Sequence, residues 1–157
     1  MDKRSQLESY EKNMDTLFKE LFEKFENSDF KKKDNLPPCK GIYVFYLNGT
    51  AIYVGRTNNI KNRIKTHTQR GSGSEKASFA FNLAKKKYSL TNDAKLWRKD
   101  LMKIEEFKKD FEMHKESLAD AEFKFIEIEN DILQTMFEPY LAYKLKTYPH
   151  NNTFENH

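Results

Sequence analysis

Tyr43, Tyr53, Arg63 and His67 are residues whose types and spacing could do chemistry in this chain of 157 residues. Asn48-Gly49 separates the strand-forming runs Val44–Leu47 and Ala51–Val54. That dipeptide is the strongest short hairpin signal, because both turn positions need φ > 0. A helix follows, and Arg63 and His67, four residues apart, share one face of it. Phenols on paired strands, with a guanidinium and an imidazole on the next helix, could grip a phosphate and a water together. Arginine offers a permanently charged planar fork to phosphate oxygens. A tyrosine base needs help, since a phenol of pKa near 10 is only about one part in a thousand ionised at pH 7. A neighbouring Arg, Lys or metal ion must lower that value. Taken singly, strand tyrosines are core residues and a helical Arg or His is a solvated face. Only the set, together and in order, carries the functional reading.

The elements that must position these residues follow from periodicity. Residues 4–27 read as a helix, with Leu7, Tyr10, Met14, Leu17, Phe18, Leu21, Phe22 and Phe25 on one apolar stripe. The stripe is expected to pack on the domain, the rival being a homodimer seam or a partner-protein contact. Pro37-Pro38 delivers an extended chain into the first strand. Asn58 is the expected N-cap of the helix after the hairpin. Arg56, Arg63, His67 and Arg70 are expected to form a cationic stripe beside its buried edge of Ile60 and Ile64. Gly71–Ser74 reads as a loop, and a helix over about 75–86 ends in Lys85, Lys86 and Lys87. Cations are favourable at a helix C-terminus, and backbone phosphates are the alternative reading of those lysines. A helical region over 94–117, broken near Ile104, buries Leu96, Trp97, Met102, Phe107 and Phe111; the core is the expected place for Trp97, base stacking the alternative. Residues 122–129 read as a strand, and Asp131 as the cap of a last helix over 132–146. A small sheet with helices on its faces is the natural packing.

Composition narrows the class. Residues 40–99 hold 13 Lys/Arg against 2 Asp/Glu, whereas 1–39 hold 8 against 9 and 100–157 hold 7 against 13. The positive charge is therefore concentrated on the segment bearing the tyrosines, which points to a polyanionic partner. No apolar run approaches a membrane span, no signal region opens the chain, and Cys39 is alone, so no internal disulfide is expected. A cytoplasmic protein without membrane partners is the expectation.

Residues 41–67 resemble the GIY-YIG nuclease superfamily, Gly41-Ile42-Tyr43 standing for the first motif and Tyr53-Val54-Gly55 for the second. The resemblance covers residues 40–157; Glu75–Phe81 and the ending around Phe154 and His157 look most like small stand-alone bacterial members. It implies an α+β fold, a three-stranded antiparallel sheet flanked by helices, here with an extra N-terminal helix. The implied organisation is a helical extension over 1–35 and a nuclease-like domain over 36–157. It also implies cleavage of phosphodiester bonds with one divalent ion, Mg²⁺ or Mn²⁺. The superfamily tyrosines fall on Tyr43 and Tyr53, the arginine on Arg63 and the histidine on His67. The metal-binding glutamate belongs in the helix after the third strand; Glu138 is preferred to Glu129, which sits at the strand end. Pro139 beside it departs from the pattern and predicts a kink. The C-terminal asparagine falls on Asn151 or Asn152, with Asn152 preferred. Arg56, Arg70, Lys85, Lys86 and Lys87 are the candidate substrate-binding cations. His157 could assist, although a terminal residue is expected to fray.

The expected function is a metal-dependent endonuclease acting on nucleic acid, with DNA the expected substrate. The alternative is a nucleic-acid-binding module of the same fold with dormant catalysis.

Overall fold

The structure is a computed structural model that describes residues 2–92 and 95–154. Ala94, the expected start of one helical region, and His157 lie outside the described residues. The elements in order are α1 (Lys3–Glu26), β1 (Gly41–Leu47), β2 (Thr50–Thr57), α2 (Ile60–Thr68), α3 (Ser78–Tyr88), α4 (Arg98–Leu101), α5 (Glu105–Ala119), β3 (Glu122–Glu127) and α6 (Asp131–Lys144), with a short 3₁₀ turn at Lys33–Asn35. The chain is α+β and forms two compact units, residues 1–61 with 122–157, and residues 62–121.

The first unit is built on an antiparallel sheet of order β2-β1-β3. Asn48 and Gly49 take φ of 51° and 76°, as the hairpin signal requires. The β1–β2 register slips between Phe45 and Tyr46, leaving Ile52 as a bulge on β2. Ile42, Val44, Val54 and Ile126 face a core closed by Phe25 of α1 and Leu133, Phe137 and Leu141 of α6. The stripe of α1 packs on this core: Phe18 lies 5.5 Å from Phe137 and 4.9 Å from Tyr140 between ring centroids. Asn13 interrupts the helical geometry of α1, its side-chain amide donating to Ser9 O at 3.1 Å. Outer strand edges invite pairing with other chains. Here Lys31 covers β3 through two 2.8 Å bonds with Phe123. Asn151 and Asn152 cover β2.

Two capping expectations are corrected. The cap of α6 is Asn130, whose side chain accepts from Ile132 N and Leu133 N at 3.0 Å; Asp131 is the first helical residue and pairs with Lys40 and Lys3. Either residue type can cap, and which one turns its oxygen back depends on where the strand releases the chain. The second correction is that α2 begins at Ile60, one residue later than an Asn58 cap would set. The Thr57 hydroxyl instead accepts from Asn59 N at 3.2 Å.

The second unit is helical. Phe79, Phe81, Leu101, Phe107, Phe111 and Leu118 form its interior, with Phe81 and Tyr88 against Phe107 at 5.3 and 5.6 Å. The expected break near Ile104 falls between α4 and α5. Trp97, expected in the core, is 80 % exposed, and Leu96 is exposed beside it. The reason is placement: Trp97 precedes α4 in extended backbone (φ −65°, ψ 151°), outside the helical periodicity that would have turned it inward.

Candidate active site

In the first unit the site is threaded on β2. Tyr53 pairs with Phe45 and Gly55 with Tyr43 across the hairpin. Side chains alternate along a strand, so Tyr43, Phe45 and Tyr53 share one face, whereas Val54 and Arg56 project towards α6. Tyr43 is 1 % exposed, with its ring 6.4 Å from that of Tyr53 and 5.8 Å from that of Phe45. Tyr53 is half-buried.

The two motif glycines have a steric reason. A Cβ on Gly55 would run into the hydroxyl and ring of Tyr43, and a Cβ on Gly41 would overlap the carbonyl of Ile126. Gly55 is thus the floor on which the Tyr43 phenol lies, and Gly41 lets β3 approach β1. Sequence spacing nominated the tyrosines and left these glycines without a role.

Glu138 stands on α6, which continues through Pro139 as far as Lys144. Arg56 Nε donates to Glu138 Oε2 at 3.1 Å, and the Glu138 side chain is 17 % exposed. Burial pushes its carboxyl above the ordinary carboxylate value, and the Arg56 charge and hydrogen bond oppose that rise. Arg56 therefore belongs to β2 and engages a carboxylate; it is not part of a helical cationic stripe. Glu129, the other candidate, is exposed.

Asn152 is buried at 5 % exposure. It accepts from Val54 N at 3.0 Å and donates to Val54 O at 2.7 Å, while Asn151 donates to Ile52 O at 2.8 Å. The two amides thus act as a short strand on the outer edge of β2, and Asn152 fixes the backbone next to Tyr53.

Arg63, His67, Arg70 and Lys85–Lys87 belong to the second unit. Ile60 and Ile64 are fully buried, as expected, but so is His67, which therefore belongs to the buried edge of α2 and not to a cationic stripe beside it. Burial, with help from the Arg63 charge, lowers the His67 imidazole to about 3, so it is neutral at ordinary pH. Arg63 is half-buried and donates to Lys76 O at 3.3 Å. Arg70, Lys85, Lys86 and Lys87 are exposed; Arg70 pairs with Glu116 at 3.4 Å and Lys87 with Asp110 at 2.7 Å. One residue was overlooked. Lys115 is buried, and its ammonium donates to Arg70 O at 3.1 Å and Ser72 O at 2.8 Å, with Glu112 at 3.1 Å. It holds the backbone that follows α2. Its spacing was the available signal, since Lys115 continues the Phe107–Phe111 apolar stripe.

The central strand carrying Gly-Ile-Tyr thus pairs with the edge strand carrying Tyr-Val-Gly, and a helix carrying Arg63 and His67 follows in the chain. Residues 39–136, well over half the chain, match the GIY-YIG catalytic domain, and the chain belongs to the GIY-YIG family. It is similar to UvrABC system protein C of Prosthecochloris aestuarii, with 48 % identity over 42 residues, 26 % of this chain and 7 % of that protein. The protein of the same name from Fusobacterium nucleatum is 35 % identical over 75 residues, 45 % of this chain and 13 % of that one. The chain thus spans a small part of the length of these relatives. A crystal structure of the GIY-YIG N-terminal endonuclease domain of UvrC from Thermotoga maritima, a point mutant bound to its catalytic divalent cation, aligns at 21 % identity. The TM-score is 0.35, covering 75 % of this chain and 87 % of that one.

Proposed function

We propose that this chain is a divalent-metal-dependent endonuclease that hydrolyses phosphodiester bonds of DNA. The observation that carries the reading is Glu138, a mostly buried carboxylate beside the edge strand of the two motifs, whose one hydrogen-bond partner among the described residues is Arg56.

The donor set suits a hard cation. No cluster of three or more His, Cys, Asp or Glu that could hold a metal exists among the described residues. A Mg²⁺ or Mn²⁺ ion is commonly held by one or two carboxylates, with waters and substrate phosphate completing its shell. Glu138 would hold it, after exchanging its contact with Arg56. When bound, such an ion polarises the phosphoryl oxygen and stabilises the leaving oxygen.

The chain's own residues do the rest. Arg63 grips phosphate oxygens as a planar fork. Tyr53, the less buried phenol, meets the attacking water. Tyr43, packed on Gly55, backs it and shares the task of taking the water's proton. His67 enters as a neutral imidazole able to accept a hydrogen bond. Asn152 works through β2, holding the Tyr53 backbone. Arg56, released from Glu138, and Arg70, Lys85, Lys86 and Lys87 meet backbone phosphates; exposed ion pairs such as Arg70–Glu116 are weak enough to exchange. Residues 1–35 form the helical extension and 36–157 the nuclease-like domain of a cytoplasmic protein.

The test is cleavage of supercoiled DNA, single-stranded DNA and RNA with Mg²⁺ or Mn²⁺. Arg63→Ala and Glu138→Ala should each lower the rate by about 100-fold or more, the loss typical of a group that stabilises developing charge. Equal nicking by wild type and both variants overturns the reading. Salt-sensitive binding without metal-dependent cleavage would identify a binding module instead.

A further inference from the structure

Trp97 is the one tryptophan of the chain, and it is 80 % exposed. An indole offers roughly 150–250 Å² of surface to bury, so leaving it in water forgoes a large stabilisation. Its backbone is nevertheless fixed. Trp97 O accepts from Asp100 N and Leu101 N, both at 3.0 Å. On either side of that turn, Leu101 is fully buried and Arg98 is clamped. The Arg98 guanidinium lies 4.0 Å from the Phe81 ring centroid and donates to Ser74 O. The indole is therefore presented from a held turn.

Beside it lies an open cavity of about 550 Å³, lined by Ser74, Glu75, Trp97, Arg98, Lys99 and Met102. That volume is in the range of small-ligand sites. Lys99 is exposed on its wall, and Lys95 and Lys103, close in the chain to Trp97 and to Met102, are exposed as well. Asp100 draws on Lys103 at 3.4 Å, and Glu75 is the acid on the cavity wall. The surroundings are thus cationic around an aromatic plane. That is the composition of a single-strand platform, where every base offers a π-face and the cations follow the backbone.

We propose that Trp97 and the adjoining cavity bind an unpaired base of single-stranded DNA by stacking, with Lys99 and Lys103 on the neighbouring phosphates. Glu75 is placed to accept from the exocyclic amine of a base, not to meet a phosphate. The proposal rests on the nucleic-acid part of the reading above and not on catalysis. It gives this small chain a contact that senses unpaired DNA, apart from the two tyrosine motifs.

The test is carried out in EDTA, so that no cleavage intervenes. Because one tryptophan supplies all indole emission, titrating the full chain with oligothymidylate of about 12 nucleotides should quench it saturably. A blunt duplex of the same length should bind without quenching. Trp97→Ala should weaken single-strand binding about 10-fold, the loss of one stacked base, while its thermal midpoint stays unchanged. Trp97→Phe should retain most of the affinity, and Lys99→Gln should reduce the salt slope by about 0.7. Binding of the oligonucleotide without quenching, or with equal affinity in Trp97→Ala, overturns the proposal, as does an absence of binding. Plasmid cleavage with metal, run on the same variants, separates the readings. Cleavage by a Trp97→Ala protein with unaltered strand affinity would leave the nuclease reading standing, and quenching without cleavage would leave the platform standing.

Discussion

In each of the two compact units a buried polar side chain holds a stretch of backbone far from it in sequence, and the two do it differently. In the sheet unit Asn152 supplies a neutral donor and acceptor to Val54, completing a strand edge. In the helical unit Lys115 supplies a desolvated charge to two carbonyls, with Glu112 beside it. The charge balance differs in parallel. Residues 62–121 carry 14 Lys/Arg against 9 Asp/Glu, leaving 14 against 15 for the sheet unit. The sheet unit thus holds the phenols and the carboxylate in a nearly neutral frame, and the helical unit carries a net positive charge. A strand edge demands a partner with its own geometry, which an amide supplies. A run of carbonyls after a helix needs only positive charge.

The largest expected effect lies in the sheet. Gly41→Ala would drive a Cβ into the Ile126 carbonyl, a backbone atom that cannot rotate away. We expect a loss of about 3 kcal/mol or more, at the upper end of overpacking, read by urea unfolding. An unchanged midpoint would mean that β1 and β3 can part without cost.

The next effect belongs to the helical unit and to acid. His67 is lowered to about 3 in the folded chain, from an ordinary value near 6.5. The stabilisation it lends is complete above about pH 6.5. It falls as the pH drops from there towards 3, by about 1.4 kcal/mol per unit. Unfolding measured from pH 7.5 to 5 should show this slope in wild type and a shallower one in His67→Asn. Equal slopes would place the acid sensitivity elsewhere.

The smallest effect sharpens the contrast between the two pins. Asn152→Ala leaves Val54 N–H and C=O unsatisfied on the edge of β2 and should cost about 2 kcal/mol. Lys115→Met refills the volume and removes a buried charge, so the net cost should be about 1 kcal/mol. Amide exchange should quicken at Val54 in the first variant only. A costlier Lys115→Met would show that the charge is indispensable and not merely convenient.

Much of the fold was legible because it is written in local chemistry. Asn48-Gly49 demanded a type I′ turn, the stripe from Leu7 to Phe25 demanded a packed helix, and Phe107 with Phe111 marked the inner face of α5. The candidate site was legible as a set of residue types in order. Their partners were not. Arg56 and Glu138 lie 82 positions apart in sequence, and Asn152 and Val54 lie 98 apart. No local pattern announces either pair. Trp97 was misplaced because side-chain size predicts burial only when the backbone turns it inward, and here the chain is extended before α4.

Sequence alone therefore determined the hairpin, the motif residues, the family they resemble and the concentration of positive charge. These depend on turn geometry, periodicity and residue type, all properties of neighbours along the chain. The tertiary structure decided that Gly55 is the floor for Tyr43, that Asn152 stitches β2, that Arg56 holds Glu138, that Lys115 is buried and that Trp97 faces solvent. Those outcomes depend on which distant atoms share space. That is settled only when burial, hydrogen bonding and charge are satisfied together in the folded chain.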